Sequence, residues 1–174
     1  VLNEQVVNFD GNTKGVRVTT NNPIEDDDDG WYLDLPTSGE RQVSTPILRG
    51  GRIIFTTVIP SGDECSAGGD SWLMVLDALS GSRLGSAPFD MNRDYAFDAE
   101  DFVHLDPDDP DSPLVAISGF QSGVGIVETL AIIGGCGLSG NMDCAYGGGS
   151  GGGNEDTPLN AGRQRGRLSW REIQ

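Results

Sequence analysis

The sequence predicts an all-β protein with long loops, and three observations carry that expectation. Gly occurs 26 times and Pro nine times among 174 residues, which breaks helices and supplies turns. Val, Ile, Thr and Trp gather in short runs, as strands require. Those runs alternate apolar with polar residues or are apolar throughout, the two patterns of half-buried and fully buried strands. The length suits one domain with a real core or a piece of a larger one.

Taken in order, Gln5–Phe9 and Gly15–Thr20 alternate, and Asp10-Gly-Asn12 between them signals a hairpin turn. Five consecutive acids, Glu25–Asp29, make either a solvated loop or a second, weaker cation site. Gly30-Trp-Tyr-Leu-Asp-Leu-Pro36 reads as a strand stopped by proline, its aromatics closing a core before serving as a platform. Arg41–Thr45 reads as an edge strand limited by Pro46, and Ile53–Ile59 as the best buried strand of the chain. Ser71–Asp77 is a further buried strand ending in Leu76-Asp-Ala78, a unit of the kind that recurs in propeller blades, with no second clear copy. Ala99–Leu105 is expected to form a helical turn, Asp106–Pro113 a stiff acidic loop, and Leu114–Ser118 and Gly125–Ile133 two more strands. Gly147–Asn154 has the composition of a flexible linker. These readings divide the chain into a β-rich region over 1–135, a Cys/Gly-rich loop region over 136–165 and a closing strand over 166–174.

Within the first region, Asp90-Met-Asn92-Arg-Asp94-Tyr-Ala96-Phe-Asp98-Ala-Glu-Asp101 has calcium-loop spacing. Oxygen-bearing side chains stand at its first, third, fifth, ninth and twelfth positions, and the Ala96 carbonyl takes the seventh. The hard oxygen set suits calcium better than zinc. Tyr95 departs from the pattern, because the sixth position needs a left-handed backbone that Gly adopts freely and Tyr adopts at a cost of about 1 kcal/mol. The plain alternative is an acidic, solvated turn.

Eleven basic against 27 acidic residues give a net charge of −16, which argues against nucleic acid and anionic membrane surfaces as partners. An acidic middle and a basic end with Arg163, Arg165, Arg167 and Arg171 point either to internal pairing or to docking on an acidic neighbour. No apolar run is long enough to span a membrane. Val1-Leu-Asn-Glu4 lacks the basic end and apolar run of a signal peptide, so a mature or excised fragment is expected. Cys136 and Cys144 bracket a short Gly-containing loop and are expected to form a disulfide in an oxidising compartment, leaving Cys65 as the odd thiol. His104 has no neighbouring nucleophile motif and reads as a surface residue rather than a catalytic base.

Several words of the chain together resemble the C-terminal part of the PilY/PilC proteins, tip-associated adhesins and assembly factors of bacterial type IV pili. They are Gly30–Pro36, Ile59-Pro-Ser-Gly-Asp-Glu-Cys65 continuing to Gly68-Gly-Asp-Ser-Trp-Leu73, Leu76-Asp-Ala78 and Gly166-Arg-Leu-Ser-Trp-Arg171. The resemblance implies a fragment or C-terminal portion of a modified β-propeller, displayed outside the cell at the pilus tip or outer membrane. It also implies a calcium loop, matched at Asp90, Asn92, Asp94 and Asp98, that regulates pilus extension against retraction. Its implied partners are minor pilins, the rest of the propeller or a neighbouring chain, and a host or surface receptor. No cofactor fingerprint or paired catalytic carboxylates can be assigned, so the expected function is a non-enzymatic, calcium-binding adhesion and assembly module. The alternatives are a structural subunit of an extracellular filament and, more remotely, a quinone-dependent propeller enzyme.

Overall fold

The computed structural model describes residues 2–62, 68–136, 142–160 and 162. In chain order its strands are β1 (Leu2–Phe9), β2 (Asn12–Thr19), β3 (Ile47–Arg49), β4 (Arg52–Pro60), β5 (Gly69–Asp77), β6 (Phe102–His104), β7 (Leu114–Ala116), β8 (Gly119–Gln121), β9 (Ala131–Cys136), β10 (Met142–Gly148) and β11 (Asn154–Leu159). They form an antiparallel six-stranded sheet in the order β1-β2-β8-β5-β4-β3, a three-stranded sheet β11-β10-β9 and the pair β6-β7. The all-β expectation is met.

Local chemistry sets the hairpins. Asp10 and Gly11 both take positive φ (47° and 86°), the twist-matched two-residue turn between β1 and β2, and the Gly11 N–H donates to Asn8 Oδ1 at 2.7 Å. Gly50 and Gly51, at φ 60° and 79°, turn β3 into β4 in the same way. β4 and β5 then pair along their whole length, from Arg52↔Asp77 to Pro60↔Gly69.

Side-chain alternation gives the large sheet two apolar faces. Val16, Val18, Ile54, Leu73 and Val75 point to one face, where they meet Phe89, Ile117, Phe120, Leu130, Ala145 and Leu159 in the main core. Phe89 and Phe120 meet edge to face, with ring centroids 5.1 Å apart. Each such fully buried side chain contributes roughly 1.5–3 kcal/mol. Phe55, Trp72, Met74 and Leu76 point the opposite way and form a second, smaller core with Trp31 and Leu33. Gly119 on β8 sits where neighbouring strands crowd closely: a Cβ there would lie 2.3 Å from Met74 Sδ and 2.7 Å from the Leu73 carbonyl oxygen.

The second face carries a buried charge. Arg17 on β2 is fully enclosed, with its guanidinium 3.8 Å from the centroid of the Trp72 ring. It donates to Glu40 Oε2 at 2.8 Å and to Glu4 Oε1 at 2.6 Å, and Thr57 also donates to Glu40. The Glu40 side chain is as enclosed as that of Arg17, so the irregular segment that carries it is tied to the sheet. Burial pushes the Glu40 carboxyl up, but the hydrogen bonds from Arg17 and Thr57 and the Arg17 charge outweigh it and hold it below the ordinary value.

Several sequence expectations are corrected here. Gly30–Pro36 forms no strand; it crosses the second face irregularly, with the Trp31 indole N–H donating to the Ala78 carbonyl at 3.3 Å. Arg41–Thr45 makes only one bridge, Arg41↔Val58. The strand expected over Gly125–Ile133 begins at Ala131, because Gly125 turns at φ 83° and Val127 makes a lone bridge to Gly149. Ala99–Asp101 is a single 3-10 turn that leads directly into β6 instead of a longer helical turn. The region over 136–165, expected as loop, contains β10 and β11, and the Gly-rich stretch is their connecting turn, closed by the Gly149 N–H on the Gly153 carbonyl at 2.8 Å. It is packed rather than free, since a Cβ on Gly149 would fall 2.2 Å from the Val124 carbonyl oxygen. The sheets of the described residues are open, ending at β1 and β3, and they close no propeller ring. The closing strand over 166–174, the basic residues from Arg163 onward and Cys65 lie outside the described residues.

Three stability effects are expected. Arg17→Met leaves Glu40 buried without its cation and should cost about 3–5 kcal/mol in urea unfolding. Because the Glu40 carboxyl is held low in the fold, its contribution is present above pH 4.5, its unperturbed value, and disappears as pH falls through the lower folded value. Glu40→Gln should flatten that acid-side loss. Gly119→Ala should cost roughly 1–3 kcal/mol through overpacking against Met74.

Candidate functional site

The acidic loop is anchored at its start by the core. Phe89 is fully buried and bridges Leu159 of β11, the Asp90 N–H reaches the Pro158 carbonyl at 3.4 Å, and the Asn160 N–H donates to the Pro88 carbonyl at 3.0 Å. Met91 is buried as well, so the next residues must turn outward from a fixed point. At the far end the 3-10 turn passes the chain to β6, whose Val103 sits in the main core.

Between these anchors the backbone winds around the first residue. The buried Asp90 carboxylate accepts from the Asp94 N–H through Oδ1 at 3.1 Å and from the Tyr95 N–H through Oδ2 at 2.9 Å. Tyr95 adopts the left-handed conformation, φ 67°, that the sixth position of a calcium loop demands and Gly normally supplies. Arg93 is left-handed too, at φ 64°. The spacing did not reveal that second strained residue, because no Gly, Asn or Asp marks it.

The remaining expected ligands are placed as follows. Asn92 Oδ1 accepts from the Asp94 N–H at 3.2 Å, while its Nδ2 donates to Glu100 at 3.0 Å. Asp94 Oδ1 accepts from the Ala96 N–H at 2.7 Å. Asp98 caps the 3-10 turn by accepting from the Glu100 N–H at 2.9 Å, and Asp101 Oδ2 accepts from the Asp98 N–H at 3.3 Å in return. Asp101, nearly inaccessible, also takes the Met91 N–H on Oδ1 at 2.6 Å. Burial pushes the Asp101 carboxyl up to about 6, against the Met91 hydrogen bond and with the nearby Asp90 charge adding to the rise.

The fold therefore brings Asp90 and Asp101 together at the base of the loop, whereas Asn92, Asp94 and Asp98 are turned onto neighbouring amides along it. Among the described residues, no three His, Cys, Asp or Glu side chains are gathered as a metal-holding group. The backbone thus winds around Asp90 through left-handed Arg93 and Tyr95, with no assembled metal cage among the described residues. His104 donates from Nδ1 to the Ser112 carbonyl at 2.9 Å, which gives it a structural part in closing the loop between β6 and β7.

A cleft of about 220 Å³ lies between this loop and the three-stranded sheet, lined by Arg93, Tyr95, Tyr146 and the cystine. Cys136 and Cys144 are disulfide-bonded, as the spacing predicts, and clamp β9 to β10. Arg93 crosses the cleft to donate to the Asp156 carbonyl at 3.1 Å.

No family model matches the chain. Two proteins of Xylella fastidiosa (strain Temecula1 / ATCC 700964), each named as a type IV pilus biogenesis factor PilY1 homolog, are similar to it in sequence. One is 48% identical over 58 residues, covering 30% of this chain and 4% of that protein; the other is 39% identical over 80 residues, covering 42% and 7%. The chain thus spans a small part of the length of these relatives. Its fold matches the crystal structure of the Pseudomonas aeruginosa PilY1 C-terminal domain with a TM-score of 0.71 at 20% identity, over 92% of this chain and 30% of that one. In sequence and fold the chain is similar to the C-terminal part of PilY1, the resemblance that its sequence words carry.

Reducing the Cys136–Cys144 disulfide, whose partners are eight residues apart, should cost about 2–3 kcal/mol. Thermal melts with and without dithiothreitol check this, and Cys136→Ser/Cys144→Ser should show the lower value in both.

Proposed function

We propose that this PilY1-like chain is a non-enzymatic, surface-exposed module of type IV pilus adhesion and assembly, and that calcium occupancy of its 90–101 loop regulates it. The pilus-associated role and the extracellular or cell-surface location rest on the similarity to PilY1 homologs. Among the described residues no helix is long and apolar enough to cross a membrane. The observation that carries the calcium reading is the loop's course: Asp90 holds the amides of the fifth and sixth residues, and Tyr95 takes the left-handed turn expected at the sixth.

The donors fit a hard dication, since every candidate ligand is an oxygen. Asp90, Asn92, Asp94, Asp98 and Asp101 would hold it through their side chains and Ala96 through its carbonyl. Bound calcium would supply positive charge to a segment with nine acids between residues 90 and 111. This chain's own contribution is the anchorage: the loop starts on β11 and ends on β6, so a change in its order acts on two sheets. In the pilus, that coupling would favour extension or retraction according to occupancy, with minor pilins and the rest of the longer protein as the immediate partners.

Isothermal calorimetry on chelator-treated protein, with calcium and then magnesium, tests the reading. One calcium-selective site is expected, lost in Asp94→Ala and tightened in Tyr95→Gly, which removes the left-handed strain. At a calcium concentration a hundredfold above Kd the fold should gain about 2.7 kcal/mol. No heat and no shift in melting temperature would eliminate calcium regulation and leave an adhesion or assembly module without it.

A further inference from the structure

A large cleft lies on the opposite side of the six-stranded sheet from the main core. The irregular segment from Asn22 to Pro36 arches over the Leu2 and Thr19 end of the β1–β2 hairpin and the turn at Ser80–Ser82, enclosing about 560 Å³. That volume is within the range of pockets that hold a sizeable ligand. Trp31 forms one wall, its ring so close to Gly81 that a Cβ there would fall 2.3 Å from it. Tyr32 stands at the mouth, 87% exposed, and the carboxylates Asp28 and Asp34 complete the rim.

The chemistry of this lining is one-sided. It includes two aromatic rings, prolines, Leu33 and two carboxylates, but no Lys, Arg or His among the described residues. Arg83 is not among the lining residues; its guanidinium donates to the Thr19 carbonyl at 2.9 Å. Immediately beside the rim runs Glu25-Asp-Asp-Asp-Asp29, and the whole chain carries a charge of −16. Low-dielectric walls focus that negative field into the cleft and raise the local concentration of cations. Lys and Arg side chains combine an apolar stem with a charged head, so the Trp31 wall and Tyr32 at the mouth, beside the rim carboxylates, match both ends of them.

We propose that this cleft is a docking site for an extended lysine- or arginine-bearing segment of a partner polypeptide. The aromatic walls take the methylene stems, Asp28 and Asp34 take the charged heads, and the acidic run steers the encounter. The site lies apart from the 90–101 loop and works with calcium absent. Its occupation would give the chain a second contact with its assembly, independent of the cation.

The test is fluorescence anisotropy of labelled decalysine on the full chain, in chelator at physiological ionic strength, with decaglutamate and spermine as companion probes. Saturable decalysine binding is expected, with Asp28→Asn/Asp34→Asn weakening it about tenfold or more. The control is Asp10→Asn/Asp156→Asn, which removes the same charge elsewhere. Asp10 sits at the other end of the hairpin from Leu2, about 25 Å away at the rise of a strand, beyond the roughly 8 Å over which exposed charges act in such salt. The control should therefore change Kd by less than about twofold. In an NMR titration of the same chain, the Trp31 indole N–H should shift with decalysine.

Equal losses in the two double variants would reduce the effect to general attraction by an acidic protein and overturn the proposal. So would no decalysine binding, binding of decaglutamate with the same affinity, or an unmoved Trp31 signal. Spermine binding as tight as decalysine would assign the cleft to free polyamines instead. All residues changed are exposed, and coincident melting curves with the unchanged chain show that folding is retained.

Discussion

Arg17 is the point on which the larger sheet turns. Its strand lies between β1 and β8, and its guanidinium stacks on Trp72 of β5 while its donors hold Glu4 of β1 and Glu40 of the irregular segment. A cation buried to this degree is tolerated only because its donors are satisfied and its charge is matched. That requirement fixes Glu40, and through Glu40 the path of a long segment with no regular structure. On the same face Trp31 lies over Gly81, tied to the Ala78 carbonyl, and the segment Asn22–Pro36 arches over a cleft.

The other face is organised by Phe89, which joins the acidic loop to β11 and stacks edge to face on Phe120. From this anchor the backbone winds around Asp90, and two non-glycine residues accept left-handed conformations to do so. Strain of this kind costs on the order of 1–3 kcal/mol per residue and persists where the surroundings over-determine it. Here the determinants are the paired amides on Asp90 and the crossing of Arg93 to Asp156. The loop's carboxylates satisfy amides in this arrangement, so a bound cation would exchange those bonds for its own coordination.

Much of this was legible in the sequence because it is local. The two-residue turn at Asp10-Gly11, the buried runs of β4 and β5, the cystine and the loop spacing from Asp90 to Asp101 all declare themselves within a dozen residues. What escaped depends on partners far apart in the chain. Arg17 reads as an ordinary outward residue of an alternating strand until Glu40 and Trp72 are brought over it. β8 is only three residues long and exists because β2 and β5 leave a slot that Gly119 alone can enter beside Met74. Gly30–Pro36 has strand-forming residues but pairs with no strand, and the packing and hydrogen bond of Trp31 override its propensity. The spacing also could not show that the loop's acids would turn onto amides and leave Asn92, Asp94 and Asp98 dispersed.

The proposed cation response of the 90–101 loop reaches β11 through Phe89 and Pro158, where the loop is anchored. Amide hydrogen exchange of the chelator-treated chain, followed with and without calcium, measures that coupling directly. Slower exchange on adding calcium is expected both within the loop and along Asn154–Leu159, with the β1–β2 hairpin turn unchanged. Identical exchange in the loop under both conditions would contradict the response, and protection confined to the loop would contradict the coupling.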